Sequence, residues 1–458
     1  MKYVSKTLAC ALSVACLVVF EPAPADACGG CFVPPDENTL VTGHRMVLSV
    51  SSTQTTLYDQ IEYVGDPASF AWVLPIAGLA EIGLLPDMYI NQLGFDTTVR
   101  IARPPLNCPS YNCPSDEAFG SSTGVSGSGG GNSLDGGVDV IAQEVVGPYE
   151  TVQLAAEDPD ALNKWLVDHG YQIPTDVQPV IAQYVKDGAN FLAMKLVPGQ
   201  GVDKMLPVSI TTPGGNPQLP LKMVAAGTGA TTLMTLYVIA EGRYEPSNFP
   251  SFTIPEDALV WDWDTESSNY TKLRQSAYEA SNGHAWLVES SVPYSEASYR
   301  NLIHSIIDFN GPEASGYPEL DYDEAQMAAD EDLDRLFAGM DSTKVTVTRL
   351  RGELSRAALS TDLVLGASDD QATVPTSMQA SHSIGTKPTC PPKPDWCDDN
   401  DGPFGSLGSG SPGSRTGSQS SCAYRAVAAT PTGSEPWLAF VSLLGLSVIA
   451  AGRRRRRR

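Results

Sequence analysis

Two stretches of this chain cannot pack, and they decide where a fold has to be. Residues 119–137 read FGSSTGVSGSGGGNSLDGG and residues 403–421 read PFGSLGSGSPGSRTGSQSS. Coil of this kind carries too little apolar surface to offset the entropy of ordering it. Any core comes from the segments around these tracts. Away from its two ends the chain still offers a long body, and the whole is 42% apolar, enough to fill a core. Length alone allows two or three domains.

The segments that remain read as an α+β, β-rich body with clustered helices. In TLYDQIEYVGD, Leu57, Ile61 and Tyr63 recur at period two on one strand face, and FAWVLPIAG continues apolar to Pro75. EDPDALNKWLVDHGY is punctuated as a helix, with Asp158 as N-cap, Pro159 in the first turn, Leu162, Trp165 and Leu166 on one face, and Gly170 as stop. A second short helix carries Val177, Ile181, Tyr184 and Val185 before Gly188. Four strands are then expected in NFLAMKLVP, LPVSITTP, LPLKMVAAG and TTLMTLYVIAEGRYEP. Helices are expected again at 269–282, 296–307 and 323–339, with strands after Lys344.

Both ends read as addresses. Lys2 and Lys6 precede the apolar run Leu8–Phe20, and EPAPADA places Ala25 and Ala27 ahead of Cys28, the pattern of a secretory signal peptide over residues 1–27. At the other end, Pro436–Gly452 is uncharged, and as a helix it spans about 25 Å against a hydrocarbon core of about 30 Å. Arg453, Arg454, Arg455, Arg456, Arg457 and Arg458 follow at once, a cluster that holds such a helix with its basic end in the cytoplasm and the body outside.

Charge agrees with that placement. The chain has 53 acidic and 29 basic residues, a net charge of −24. Removing 1–27 leaves the balance unchanged, and removing 423–458 takes seven arginines and one glutamate, so the body is more acidic still. An acidic body is repelled by nucleic acid and by anionic membrane surfaces.

Outside the cytoplasm cysteines become disulfides. Cys28, Cys31, Cys108, Cys113, Cys390, Cys397 and Cys422 lie beyond the leader. Proximity suggests 28–31, 108–113 and 390–397, which leaves Cys422 over, although six cysteines allow many other connectivities.

The order of parts at the C-terminus (Cys422, a short spacer, an apolar helix, an arginine cluster) resembles the MYXO-CTERM sorting signal of myxobacteria and their relatives. Ser421 stands where that signal usually has glycine. The resemblance implies cleavage by a myxosortase-type processing protease and a surface-attached end at the Cys422 region. Residues 368–421 then form a Pro/Gly/Ser-rich linker, and the 24 residues from Asp398 to Ser421 give a tether of roughly 27 Å root-mean-square reach.

A second resemblance covers the body. GPYETVQL, DPDALNKWLVDHGYQIP, PVIAQYVKDGANFLAMKLVPG and LPLKMVAAG occur in the order of the bacterial domain of unknown function 2330 family. CGGCF and FAWVLPI fit its beginning and TVTRLRGELSRAALSTDLVL its end. The resemblance implies one ectodomain over 28–367 with 119–137 as an internal loop, and it implies no activity. Its matching residues are mostly Trp, Tyr, Leu, Gly and Pro, which serve folding.

Several motifs suggest chemistry, each beside a plainer reading. CGGC at 28–31 has thiol–disulfide spacing, but Phe32-Val33-Pro34-Pro35 cannot open the helix such a site needs. A structural disulfide, a zinc site shared with Cys108 and Cys113, and redox chemistry are the three readings, the first favoured. VWDWDTES sets Asp262, Asp264 and Glu266 among Trp261 and Trp263, as glycosidases and sugar clefts do. Strand alternation, with both aspartates on one face and both tryptophans on the other, explains it more simply. CDDNDG at 397–402 puts Asp399 and Asp401 at calcium-loop spacing, with Cys397 where the first carboxylate belongs. GSGSPG at 408–413 matches the glycine pattern G-x-G-x-x-G by chance, in coil with no strand before it and no helix after it. His44, His169, His284, His304 and His382 are scattered. The acidic stretch 320–336 reads as a solvated helix face with Ala329, Leu333, Leu336 and Phe337 inward, or as a docking face.

The sequence therefore points to a secreted, membrane-anchored and non-enzymatic protein on the outer surface of a Gram-negative, myxobacterial type of envelope. Its expected partners are envelope components or glycans, with no cofactor and no metal. An extracytoplasmic hydrolase acting on glycans through Asp262, Asp264 and Glu266 is the alternative, and a thiol oxidoreductase using Cys28 and Cys31 comes third.

Overall fold

A computed structural model describes residues 31–32, 40–64, 71–108, 140–169, 171, 177–197, 205–225, 230–390 and 392. The signal peptide, Cys28, Cys113, Cys397, Cys422, both Gly/Ser tracts, the helix at 436–452 and Arg453–Arg458 lie outside the described residues. Among the described residues no helix is long and apolar enough to cross a membrane.

The chain opens with β1 (Cys31–Phe32), β2 (Leu40–Val50), β3 (Gln54–Val64), β4 (Ala71–Ile76), β5 (Glu81–Leu84), α1 (Asp87–Thr97) and β6 (Arg100–Ala102). It continues with β7 (Val140–Val146), β8 (Tyr149–Leu154), α2 (Pro159–Asp168), α3 (Gln178–Lys186), β9 (Asn190–Leu196), β10 (Val208–Pro213), β11 (Gln218–Leu219), α4 (Leu221–Ala225) and β12 (Thr231–Glu241). Next come β13 (Tyr244–Pro246), β14 (Ser251–Phe252), β15 (Val260–Asp262), β16 (Ser267–Ser268), α5 (Tyr270–Ala280) and β17 (Trp286–Pro293). The last elements are α6 (Glu296–Asn310), α7 (Tyr322–Leu336), β18 (Val345–Ser355), β19 (Leu363–Ala367), β20 (Ser377–Gln379) and β21 (His382–Ile384).

The chain divides into two units, Met1–Leu106 with Ala118–Thr389, and Asn107–Glu117 with Cys390–Arg458. The first is mixed α and β. Its larger sheet has eight strands in the order β14-β17-β18-β12-β2-β3-β10-β5, and a second has five in the order β1-β4-β9-β8-β7. Most pairings are antiparallel, but β2 runs parallel to β12, with Met46 opposite Leu236.

Alternation along the strands builds the layers. Met46, Leu48 and Val50 of β2 join Trp72 and Leu74 of β4 and Met194 of β9 in a core between the two sheets. Val47 and Tyr58 point to the other face of the larger sheet, against Tyr89 of α1, Ile303 of α6 and Leu333 of α7. The outer face of the smaller sheet packs Val73 and Phe191 on Leu162, Leu166 and Ile181 of α2 and α3. Leu57 lies on a buried face of β3, and the opposite face is buried as well. Leu57 and Tyr58 are both buried, because helices cover one face of that sheet and a second sheet covers the other.

The punctuation of α2 is as the sequence implies, with the Asp158 side chain accepting the Asp160 N–H and Pro159 in the first turn. α3 buries Ile181, Tyr184 and Val185. LPLKMVAAG, expected as a strand, is instead the two residues of β11 and the helix α4. The Asp362 carboxylate accepts the Lys222 N–H at 3.0 Å, a helix-start cap delivered from 140 positions away. The long strand expected over 231–246 breaks at Gly242, whose φ is +91°.

One boundary and the cysteine pairing also change. The first unit runs on to Thr389, so 368–389 belong to it and not to the linker. β20 pairs with β6 and β21 with β15, both parallel, and Met378 and Ala380 are buried. The second change concerns cysteines. Cys108 is bonded to Cys390, 282 positions away, and not to Cys113, nor is Cys390 bonded to Cys397. β20 lies beside β6, and the Lys387 ammonium reaches the Pro105 carbonyl at 3.5 Å, so the fold brings the two chain segments together before either cysteine is reached.

Candidate functional site

Four strands frame a cleft. β13 pairs antiparallel with β19, placing Glu245 opposite Gly366. β14 pairs parallel with β17, placing Ser251 opposite Trp286. Together they border an open cleft of about 530 Å³, lined by residues that include Arg243, Glu245, Ser251, Phe252, Ser368 and Asp370. Gly242 makes this turn possible. A Cβ there would lie 2.6 Å from Gln371 Oε1, in a backbone conformation that L side chains rarely adopt. Gln371 in turn clasps the next residue, accepting the Arg243 N–H at 2.8 Å and donating to the Arg243 carbonyl at 3.0 Å.

The floor of the cleft is a paired charge. Arg243 is only 7% exposed, and its NH2 lies 2.7 Å from Glu245 Oε1. NH1 donates to the Ala372 carbonyl at 3.0 Å and lies 3.3 Å from Asp370 Oδ2. Glu245 also accepts the hydroxyls of Ser251, at 2.6 Å, and Ser368, at 2.9 Å. A buried pair is favourable only when its remaining lone pairs are met, and here hydroxyls meet them. One cost is retained, since Arg243 Nε is buried with no hydrogen-bond partner. This set can orient and hold a polar ligand. Glu245 Oε1 meets Arg243 and Ser368, and Oε2 meets Ser251.

A second, much smaller void of about 20 Å³ lies in the core between the two sheets, with room for one water. His44 Nδ1 lies 3.1 Å from each Asp59 oxygen there, beside Trp72 and Met223. Both side chains are buried.

The residues singled out in the sequence are distributed otherwise. β15 ends at Asp262 and residues 263–266 are a turn, so WDWD does not alternate along a strand. Trp261 and Trp263 meet edge to face at 6.3 Å, and Trp263 is buried. Asp262 Oδ1 accepts the Asp264 N–H, and Asp264 Oδ1 accepts the Thr386 N–H, both at 2.9 Å. Glu266 holds a left-handed turn position with φ +49°. Asp262 and Asp264 thus brace the chain around Gly385, whose Cβ would collide with both carboxylates.

Cys31 begins a strand, paired opposite Trp72, and no helix starts there. The disulfide takes Cys108 out of any zinc site with Cys113. Among the described residues no group of three or more His, Cys, Asp or Glu is placed to hold a metal ion. The histidines have separate surroundings. His169 stacks on Trp165 at 3.8 Å, His284 packs on Phe249, His304 is buried against Asp330 at 3.1 Å, and His382 is exposed in β21.

Ala329, Leu333, Leu336 and Phe337 are buried as expected, but the acids of α7 are not simply solvated. Asp330 and Asp334 bind Arg300 at 2.6 and 2.7 Å, and Asp332 is buried beneath Tyr317. The cleft residues Arg243, Glu245, Ser251, Ser368 and Asp370 were not marked by any sequence signal. They fall in two groups, 243–251 and 368–370, more than a hundred positions apart, and the pairing of β13 with β19 brings the groups together.

A family model described as an uncharacterized protein conserved in bacteria, DUF2330, matches residues 22–363. No curated protein matches the chain. Among solved structures, the 3.1 Å crystal structure of a mutated baculovirus P35 after caspase cleavage is similar over 45% of this chain and 69% of that one, at 10% identity and a TM-score of 0.21. A likeness that slight carries no argument. The wall of the cleft from Gly366 to Asp370 lies beyond the span matched by the family model.

Proposed function

This chain belongs to the DUF2330 family of bacterial proteins, and from that premise we propose that it is a cell-surface ectodomain that binds envelope glycans or other envelope components without transforming them. The cleft on Arg243 and Glu245 carries the reading. Its volume suits a small polar ligand or one unit of a larger one. Its deepest charges are matched to each other and to two serine hydroxyls. Glu245 is tied to Arg243 and to both serines, an arrangement suited to positioning a ligand. A glycan hydrolase working through Asp262, Asp264 and Glu266 is the weaker reading, since both aspartates hold backbone N–H groups of the 262–264 turn and of Thr386.

The sequence supports the address. The protein is exported by residues 1–27 and held by the arginine-flanked helix 436–452. A myxosortase-type protease then trims it near Cys422, leaving it on the outer surface of a Gram-negative, myxobacterial type of envelope. The reading calls for no cofactor.

Two measurements test it. The intact mass of the native protein from its own membranes should correspond to Cys28 through the Cys422 region plus lipid. A mass retaining the arginines would mean an uncleaved anchor. The full-length protein should also retain a subset of envelope oligosaccharides on an array, and Arg243→Leu should abolish retention. An array on which nothing is retained, or on which retention survives that substitution in a folded variant, would overturn the binding reading.

A further inference from the structure

The chemistry of the same cleft names a ligand class, an inference that rests on the binding reading above. Each serine hydroxyl carries one proton. Ser251 donates its proton to Glu245 Oε2 at 2.6 Å, Ser368 to Glu245 Oε1 at 2.9 Å, and Ser247 to the Val364 carbonyl at 3.0 Å. Ser368 also accepts the Asp370 N–H at 3.2 Å. What Ser247 and Ser251 have left to offer a ligand is therefore lone pairs, not protons.

Charge points the same way. The lining holds one guanidinium, Arg243, against three carboxylates, Glu245, Asp369 and Asp370. That guanidinium spends one N–H of NH2 on Glu245 and both of NH1 on Asp370 and the Ala372 carbonyl, and the Thr253 hydroxyl is the other side-chain donor in the lining. Asp369 and Asp370 are exposed at the rim. A surface rich in acceptors and short of donors selects a ligand rich in donors and positively charged. Apolar surface lies beside it. Phe252 lines the cleft and is fixed by an edge-to-face contact with Tyr278 at 5.3 Å, which suits the C–H face of a sugar ring.

We infer that the cleft binds a protonated amino sugar, with its ammonium at Asp369 and Asp370, its hydroxyls donating to Ser247 and Ser251, and its ring against Phe252. Acetylation of the amine removes the charge and one set of donors. An acidic sugar is repelled by the rim.

Calorimetric titration of the full-length protein tests this with a glucosamine tetramer, its fully N-acetylated counterpart and a tetralysine peptide, at mildly acidic pH and low salt. The glucosamine tetramer should bind at least about tenfold more tightly than either competitor. In the Asp369→Asn protein, which leaves the Asp370–Arg243 pair intact, the preference over the N-acetylated sugar should shrink to about threefold or less. Equal or tighter binding of the N-acetylated sugar overturns the ammonium assignment but leaves the cleft a glycan site. Tetralysine binding as tightly as the amino sugar overturns the sugar as occupant. Binding of none of the three overturns the inference, and the oligosaccharide array then decides the broader reading by itself.

Discussion

Asp332 is a carboxylate in the wrong solvent. It is 9% exposed, beneath the hydroxyl of Tyr317 at 2.9 Å, which in turn meets the Tyr89 hydroxyl at 2.8 Å. Burial pushes its pKa up to about 6, against the opposing pull of the Tyr317 hydroxyl and of Arg335 at 3.1 Å. The Tyr58 hydroxyl is buried nearby without a hydrogen-bond partner, and both its burial and the charge on Asp332 drive its own pKa upward. In the unfolded chain an aspartate titrates near 4, so between about pH 4 and 6 the folded state holds the extra proton. Stability from this site is greatest below that window, falls as pH rises through it, and is lower by roughly 3 kcal/mol above it. Asp332→Asn keeps an acceptor for Tyr317 and removes the titration. The wild-type protein should lose stability relative to the variant as pH rises from about 4 to 7, read as the difference between their thermal melts. Two melting curves that stay parallel across that range would show that the site does not titrate there.

At the scale of elements, α2 and α4 divide what the sequence discloses from what it hides. α2 is announced locally, by a capping aspartate, a first-turn proline and leucines four apart. α4 is announced by nothing local, because its start is satisfied by Asp362, which also accepts the Tyr184 hydroxyl at 2.6 Å and pairs with the Lys222 ammonium at 3.0 Å. Replacing this carboxylate by alanine strips a helix start and leaves a largely buried phenol without its acceptor. Asp362→Ala should cost about 2–4 kcal/mol in chemical denaturation, and Asp362→Asn should recover most of it. A loss under about 0.5 kcal/mol would mean that water replaces the carboxylate at no cost. The same contrast explains the rest of the comparison with sequence. Periodicity and caps reveal α3, α5, α6, α7 and the long strands, since these depend on neighbours three or four positions away or on alternation. The segment 368–389 carries little apolar periodicity and is held by β6, β15 and the clasp of Gln371 on Arg243. The cleft is hidden for that reason too, as its charges converge only when β19 meets β13.

For the whole molecule, the disulfide is where chain proximity misleads most. The entropic cost of closing a loop rises only logarithmically with length, so a distant cysteine is excluded by fold and not by separation. Here the parallel pairing of Ser377–Gln379 with Arg100–Ala102 carries both chain segments toward the same place. The bond from Cys108 to Cys390 then ties positions 282 apart, and the unfolded chain loses the freedom of that whole loop. In the loop-entropy picture such a crosslink is worth up to about 5 kcal/mol, at the top of the usual range. An acidic body has reason to keep it, because at a net charge of −24 the repulsion among its carboxylates favours expansion. Cys390→Ser should therefore lower the denaturation midpoint by more at low salt than at high salt, since salt screens the repulsion that the crosslink resists. A peptide map of the unreduced protein should contain the fragment joining Cys108 to Cys390. Fragments joining Cys108 to Cys113, or Cys390 to Cys397, would return the pairing to sequence neighbours and leave the contacts of β20 and β21 to hold 368–389 unaided.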